Sequence, residues 1–355
     1  MKRTLSSCML LAAFVLLAAL LPVSTRLQAQ QSAWEPMNRG LLHLLVYTIE
    51  MDPVDSLVMY AGTEYGNLYK STDGGFNWMM SRTGIPPNYD KELVTALHRD
   101  ARDRRHLFAG FGGRESAKNL FESSDAGATW RIVPTPASWQ KAGVLHILTT
   151  DSMLYCGLGW KTGIASLRTG DSVWILREGF GVQCIVSSPN DPRILLHGTS
   201  GRTPLFRSTD AGATWSSQSI AIGSSTKTGV RSLLFSPADP AVVYAGVTAD
   251  GAGLYRSLDT GRTWARLIAT DQISEIAVLP SNPDIIYFSA IHTGVMRSLD
   301  GGATWTKLSK GMPTTDVMRV RIAPGWPIRV FAVTLKHGIF RLVDEEITRT
   351  QARLP

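Results

Sequence analysis

Two carboxylates stand where a glycoside-cleaving enzyme would want them, Glu64 in YAGTEYGNLYKS and Asp250 in VYAGVTADGAG, each in a loop after a strand-like run. Such chemistry needs an acid and a base flanking the scissile bond, held roughly 6.5 to 9.5 Å apart in inverting enzymes. Tyr65, Arg114, Trp139, Trp160 and Lys161 lie in comparable loops and mix cations with aromatics, the groups that stack on a sugar or grip a partner side chain. His292 and His337 occupy matching places in successive segments, but two histidines without a local carboxylate make a poor metal site. No HExxH, calcium-loop, phosphate-loop, GxSxG or Cys-His pattern accompanies them, so no metal and no cofactor are expected.

The segments that carry these groups are copies of one unit. KSTDGGFNW (70–78), ESSDAGATW (122–130), RSTDAGATW (207–215), RSLDTGRTW (256–264) and RSLDGGATW (297–305) all obey Ser-x-Asp-x-Gly-x-x-Trp. Their aspartates, Asp73, Asp125, Asp210, Asp259 and Asp300, are spaced 52, 85, 49 and 41 residues apart. The doubled gap holds a decayed copy, ASLRTGDSVW (165–174), with Arg168 in place of Asp and Trp174 one residue late. GIFRLVD (338–344) is a seventh copy cut short before its Gly and Trp.

A period of 40 to 50 residues indicates a propeller or solenoid. In VRSLLFSPADPAVVYAGVTADGAGLYRSLDTGRTWARL (230–267) the unit reads as four short strands, which is a propeller blade. SPNDP, SPADP, LPSNP and APGWP punctuate successive units after the first strand, where proline sets a turn and cannot serve a central strand. The repeated Ser and Asp accept hydrogen bonds from the amides of a tight turn, Gly permits positive φ, and the tryptophans Trp78, Trp130, Trp215, Trp264 and Trp305 anchor each fourth strand between blades. These are structural roles. The expected fold is an all-β, seven-bladed propeller of four-stranded antiparallel blades over residues 30–344. Residues 33–37, with Trp34, complete the last blade from the N-terminus and remove two sheet edges. Residues 345–355 are left as a polar tail. On this ring Glu64 and Asp250 stand nearly opposite one another, and solvated loop carboxylates are the simpler reading.

Residues 1–29 read as a secretory signal peptide, with a basic start, an apolar core at 9–21 and a polar stretch to Ala29. The core is too short for a membrane span. Without Lys2, Arg3 and Arg26 the formal charge falls from +7 to +4, and no basic cluster points to nucleic acid. The two cysteines beyond this segment, Cys156 and Cys184, are read either as buried thiols or as a disulfide favoured by export.

The repeated box with its upstream Tyr-Ala-Gly strand resembles the Asp-box, or BNR-repeat, propellers. That group includes sortilin ectodomains, photosystem II stability and assembly factors, sialidases and xyloglucanase-type hydrolases. The resemblance implies the fold and says little of activity. A sialidase would require an arginine triad and an early Arg-Ile-Pro-like motif, whereas the chain's only similar run is Arg353-Leu-Pro at its end. In the xyloglucanase type a catalytic Asp sits where this chain has Glu64. The expected function is therefore an exported, periplasmic or extracellular, non-catalytic module that binds a protein or a glycan, with a glycoside hydrolase as the alternative. Any site is expected on the face formed by the loops after the second and fourth strands.

Overall fold

The computed structural model describes residues 32–351 apart from 114–118, 138, 140–141, 160–161, 178, 180, 201–203, 219, 221–228 and 249–250. The expected signal peptide lies outside the described residues. Seven four-stranded antiparallel sheets make up the described chain. In the first blade the strands are Val46–Met51, Met59–Thr63, Leu68–Ser71 and Met79–Met80, paired in chain order. Five further blades, over 93–133, 144–177, 182–218, 229–269 and 273–308, repeat this order. The seventh is built from Val317–Ile322, Arg329–Thr334 and Gly338–Val343, and Glu35–Pro36 supplies its fourth strand, as the truncated last copy predicts. Among the described residues no helix is long and apolar enough to cross a membrane.

One sequence rule explains how neighbouring blades mesh. Every first strand has a buried β-branched residue at its first or second position, Val46, Val94, Val144, Val182, Val230, Ile273 or Val317. Each then carries a bulge between this residue and the one two places on. A bulge bends and twists the strand, which suits a strand turning along the inside of a ring. The next blade's β-branched residue packs onto the Gly of the Ala-Gly run: a Cβ on Gly62 would come within 2.5 Å of Val94, and one on Gly246 within 2.6 Å of Ile273. The glycine is thus a notch for the neighbouring blade. Blade seven has Val333 at this place, opposite Arg319. Its first strand touches that of blade one less closely than any other neighbouring pair.

The boxes fold as expected. In the fifth, Ser298 Oγ donates to Asp300 Oδ1 (2.8 Å) and accepts from Gly302 N–H (2.8 Å), while Asp300 accepts from the Thr304 amide (2.8 Å) and hydroxyl (2.6 Å). Thr129, Thr214 and Thr304, donating from hydroxyl and amide, hold Asp125, Asp210 and Asp300 down to about 2. The Trp wedge is visible in Trp78, whose Nε1–H donates to Met37 O (2.8 Å) beside the preceding blade's fourth strand. Trp174 of the decayed copy reaches Pro134 O (2.8 Å), and Trp34 reaches Leu308 O (2.9 Å). Trp264 and Trp305 turn instead to the glycine carbonyls of their own boxes.

Two details depart from the sequence reading or resolve it. Residues 345–351, expected as part of a polar tail, form the helix Glu345–Gln351. It docks because Ile347 enters the core of the last blade and because Asp344, just before it, holds buried Arg297 (2.7 Å) and Tyr287 (2.7 Å). Cys156 and Cys184 are free, buried thiols, so the disulfide alternative falls.

Candidate functional site

The loop face carries one compact patch on blade one. After Thr63, the chain turns through Glu64, Tyr65 (φ 60°) and Gly66, and the Gly66 amide donates to Glu92 O in the loop entering blade two (2.7 Å). This turn displays Tyr65, 49% exposed, against His43, with ring centroids 4.6 Å apart. Glu64 Oε1 lies 3.8 Å from His43 Nδ1. On either side of His43, Leu42 and Leu44 are also exposed, at 68% and 40%. Apolar, aromatic and charged groups therefore share one small surface, of the kind that marks interaction sites.

The other expected residues are spread out. His292 has a left-handed backbone (φ 68°) and is tied to Asp316, through its Nδ1 at 3.0 Å and its amide at 3.2 Å. His337 is exposed in its own turn, its amide on Thr334 Oγ1 (3.1 Å) and its carbonyl accepting from Asn38 (2.9 Å). Among the described residues no three His, Cys, Asp or Glu side chains gather as a metal site. Trp139 corrects the expectation: it is 1% exposed and packs against Trp174 at 4.6 Å, so it belongs to the core between blades two and three and offers no surface platform. Its indole shares that core with Leu120, Val133 and Leu158, where burial of apolar area is favourable. Arg114, Trp160, Lys161 and Asp250 lie outside the described residues.

Sequence reasoning singled out none of the groups that line the central channel. First-strand side chains from all seven blades surround a cavity of about 280 Å³, with Glu50, His98, His146, Arg231, Glu275, Arg319 and Arg321 as its main polar groups. Glu275 accepts from Arg321 Nη2 (2.9 Å) and from the Val320 amide (3.0 Å), and Arg319 Nε donates to Tyr47 O (3.1 Å). Burial pushes Glu50 up to about 7, against the pull of Arg321 and Arg99. Burial likewise pushes His98 down to about 4 and His146 to about 3. The Thr149 amide donates to His98 Nε2 (3.1 Å), which requires that nitrogen to be unprotonated. The signal was present: all but Arg231 fall two or four residues after the early Val or Ile of their own strand, a column visible in five blades once the units are aligned.

Toward the Pro-rich turns the channel meets a cleft of about 660 Å³ between blades six, seven and one. Glu50 and Arg321 line both spaces. Trp326, 48% exposed, stands at the cleft among Pro53, Pro280 and Pro324. Asp52, also at the wall, is fully engaged by Arg104 (2.7 Å), Arg99 (3.2 Å) and the amides of Val54 and Asp55 (2.9 Å each).

With this geometry in hand, the chain can be set beside known proteins. No family model matches it. It is 25% identical over 210 residues to the xyloglucanase Xgh74A of Acetivibrio thermocellus, a match covering 47% of this chain and 24% of the enzyme. The chain therefore spans about a quarter of that relative's length. It is 27% identical over 315 residues to a dispase autolysis-inducing protein of Streptomyces mobaraensis, covering 70% of this chain and 81% of that one. Among solved structures, YCF48 bound to D1 peptide superposes with a TM-score of 0.66 at 14% identity, over 88% of this chain and 96% of that one. The resemblance to Asp-box propellers read from the boxes holds at the level of the fold.

Proposed function

We propose that this propeller is an exported, non-catalytic binding module of the periplasm or cell exterior, and that its loop face takes a protein segment at blade one. The observation that carries this reading is the exposed Leu42, Leu44 and Tyr65 beside the Glu64–His43 pair. A patch of this kind gains by covering its apolar area, while the adjacent charges set orientation and specificity. YCF48, which shares the fold over nearly its whole length, is known bound to a peptide, and this supports a binding role. The engagement of Asp52, Glu275 and Asp344 by arginines supports it too, because carboxylates held this way serve the scaffold.

The xyloglucanase match makes hydrolysis the reading to be defeated. The test pairs site-directed photo-crosslinking from position 65 in the native envelope with a polysaccharide-hydrolysis screen. A defined crosslinked partner, whose binding to the purified chain falls at least tenfold in Tyr65→Ala and Leu42→Asp, is the expected result. Release of reducing sugar, abolished by Glu64→Gln, would overturn the proposal.

A further inference from the structure

The cleft on the Pro-turn face points to a second site that the loop-face reading does not involve. We propose that it binds a neutral saccharide, with the ring stacked on Trp326 and hydroxyls directed to Glu50 and Arg321. Its volume, about 660 Å³, lies within the range of small-ligand sites, roughly 300 to 1,000 Å³. Its walls also have their composition. Leu279, Ile322 and Ile328 are apolar, the prolines are rigid, and three ionisable groups, Glu50, Asp52 and Arg321, are set among them.

Trp326 is held out of the core by its place in the turn between Ala323 and Ile328, both of which are buried. An indole about half exposed offers flat apolar area at little cost in conformational entropy. The C–H face of a pyranose matches such a surface.

The polar side selects against an ionic ligand. Arg321 already holds Glu275 at 2.9 Å, and Asp52 is shared by Arg99 and Arg104, so a charged ligand would find its counter-charge occupied. What is left over is hydrogen-bonding capacity. The Arg321 side chain stays 40% exposed while its Nη2 holds Glu275, so the guanidinium keeps N–H groups on the cleft wall. A sugar hydroxyl accepts from the exposed part of the guanidinium and donates to Glu50 without disturbing the pairs. A proline or aromatic side chain of a peptide would stack equally well but would leave both groups unanswered.

The test is calorimetry and saturation-transfer NMR on the full chain with cellohexaose, xylohexaose, chitohexaose and maltohexaose. At least one is expected to bind. Trp326→Ala should weaken it tenfold or more and Glu50→Gln several-fold, while Trp326→Phe retains most of the affinity and Tyr65→Ala all of it. The Phe variant keeps the comparison valid if the Ala variant is unstable. The proposal is overturned if none of the four binds, if Trp326→Ala and Trp326→Phe both bind as the native chain does, or if only a proline-rich peptide occupies the cleft. None of these outcomes bears on crosslinking from position 65, so the two sites stand or fall separately.

Discussion

At the scale of single residues, the box serine does more for the fold than its size suggests. Ser298 is 1% exposed and joins three groups: the Asp300 carboxylate, the Asp300 amide and the Gly302 amide. Ser298→Ala keeps the shape and leaves the Gly302 amide buried without an acceptor, a loss expected to be about 1 to 3 kcal/mol. Chemical denaturation of this variant should show a lower midpoint with an unchanged slope; an unaltered midpoint would mean that the turn holds without the serine. The turn chemistry was legible in the sequence because each contact spans four residues or fewer. Tyr65 was legible as a loop residue but not as half of a tilted ring pair with His43, a contact between segments 22 residues apart.

At the scale of elements, the decisive one is the two-residue strand Glu35–Pro36. It pairs with Gly338–Val343, placing Glu35 opposite Arg341 and Pro36 opposite Phe340. Trp34, 3% exposed, fastens it to blade six through Leu308 O and Lys310 O. Truncating a buried tryptophan costs about 3 to 5 kcal/mol. Trp34→Ala is therefore expected to lower the unfolding temperature markedly and to expose the edge Gly338–Val343 to hydrogen exchange before any other third strand. Uniform exchange across the blades would refute a local opening. The helix Glu345–Gln351 shows the limit of pattern reading. EEITRTQ offers a single apolar residue, and only Arg297, 47 positions away from Asp344, reveals that the segment is docked.

At the scale of the whole molecule, seven first strands bring into one channel groups that no local window contains. Glu50 favours its protonated form in the folded chain, so its contribution to stability is full below about 4.5 and is lost as the pH rises through about 7. His98 and His146 act in the opposite sense: their contribution is full above about 6.5 and is lost as the pH falls through about 4 and about 3. Stability should therefore decline on both sides of a mildly acidic optimum. Glu50→Gln removes only the alkaline limb, worth at most about 3 kcal/mol. Thermal melts should find this variant more stable than the native chain at pH 8 and no more stable at pH 5. Equal differences at the two values would show that Glu50 is solvated and ordinary.

The boxes, the Pro-rich turns, the count of seven and the closing strand all followed from the sequence, because a propeller repeats one local unit and local units carry their own hydrogen bonds. The Ala-Gly notch was visible there too, though its reason was not, since the residue that fills it belongs to the next blade. Only the tertiary structure decided that Trp139 is core, that Trp326 is surface, and that Glu50, Glu275, Arg319 and Arg321 share one space. Each of those outcomes depends on packing between residues far apart in the chain, where curvature and burial, rather than spacing, set the neighbours.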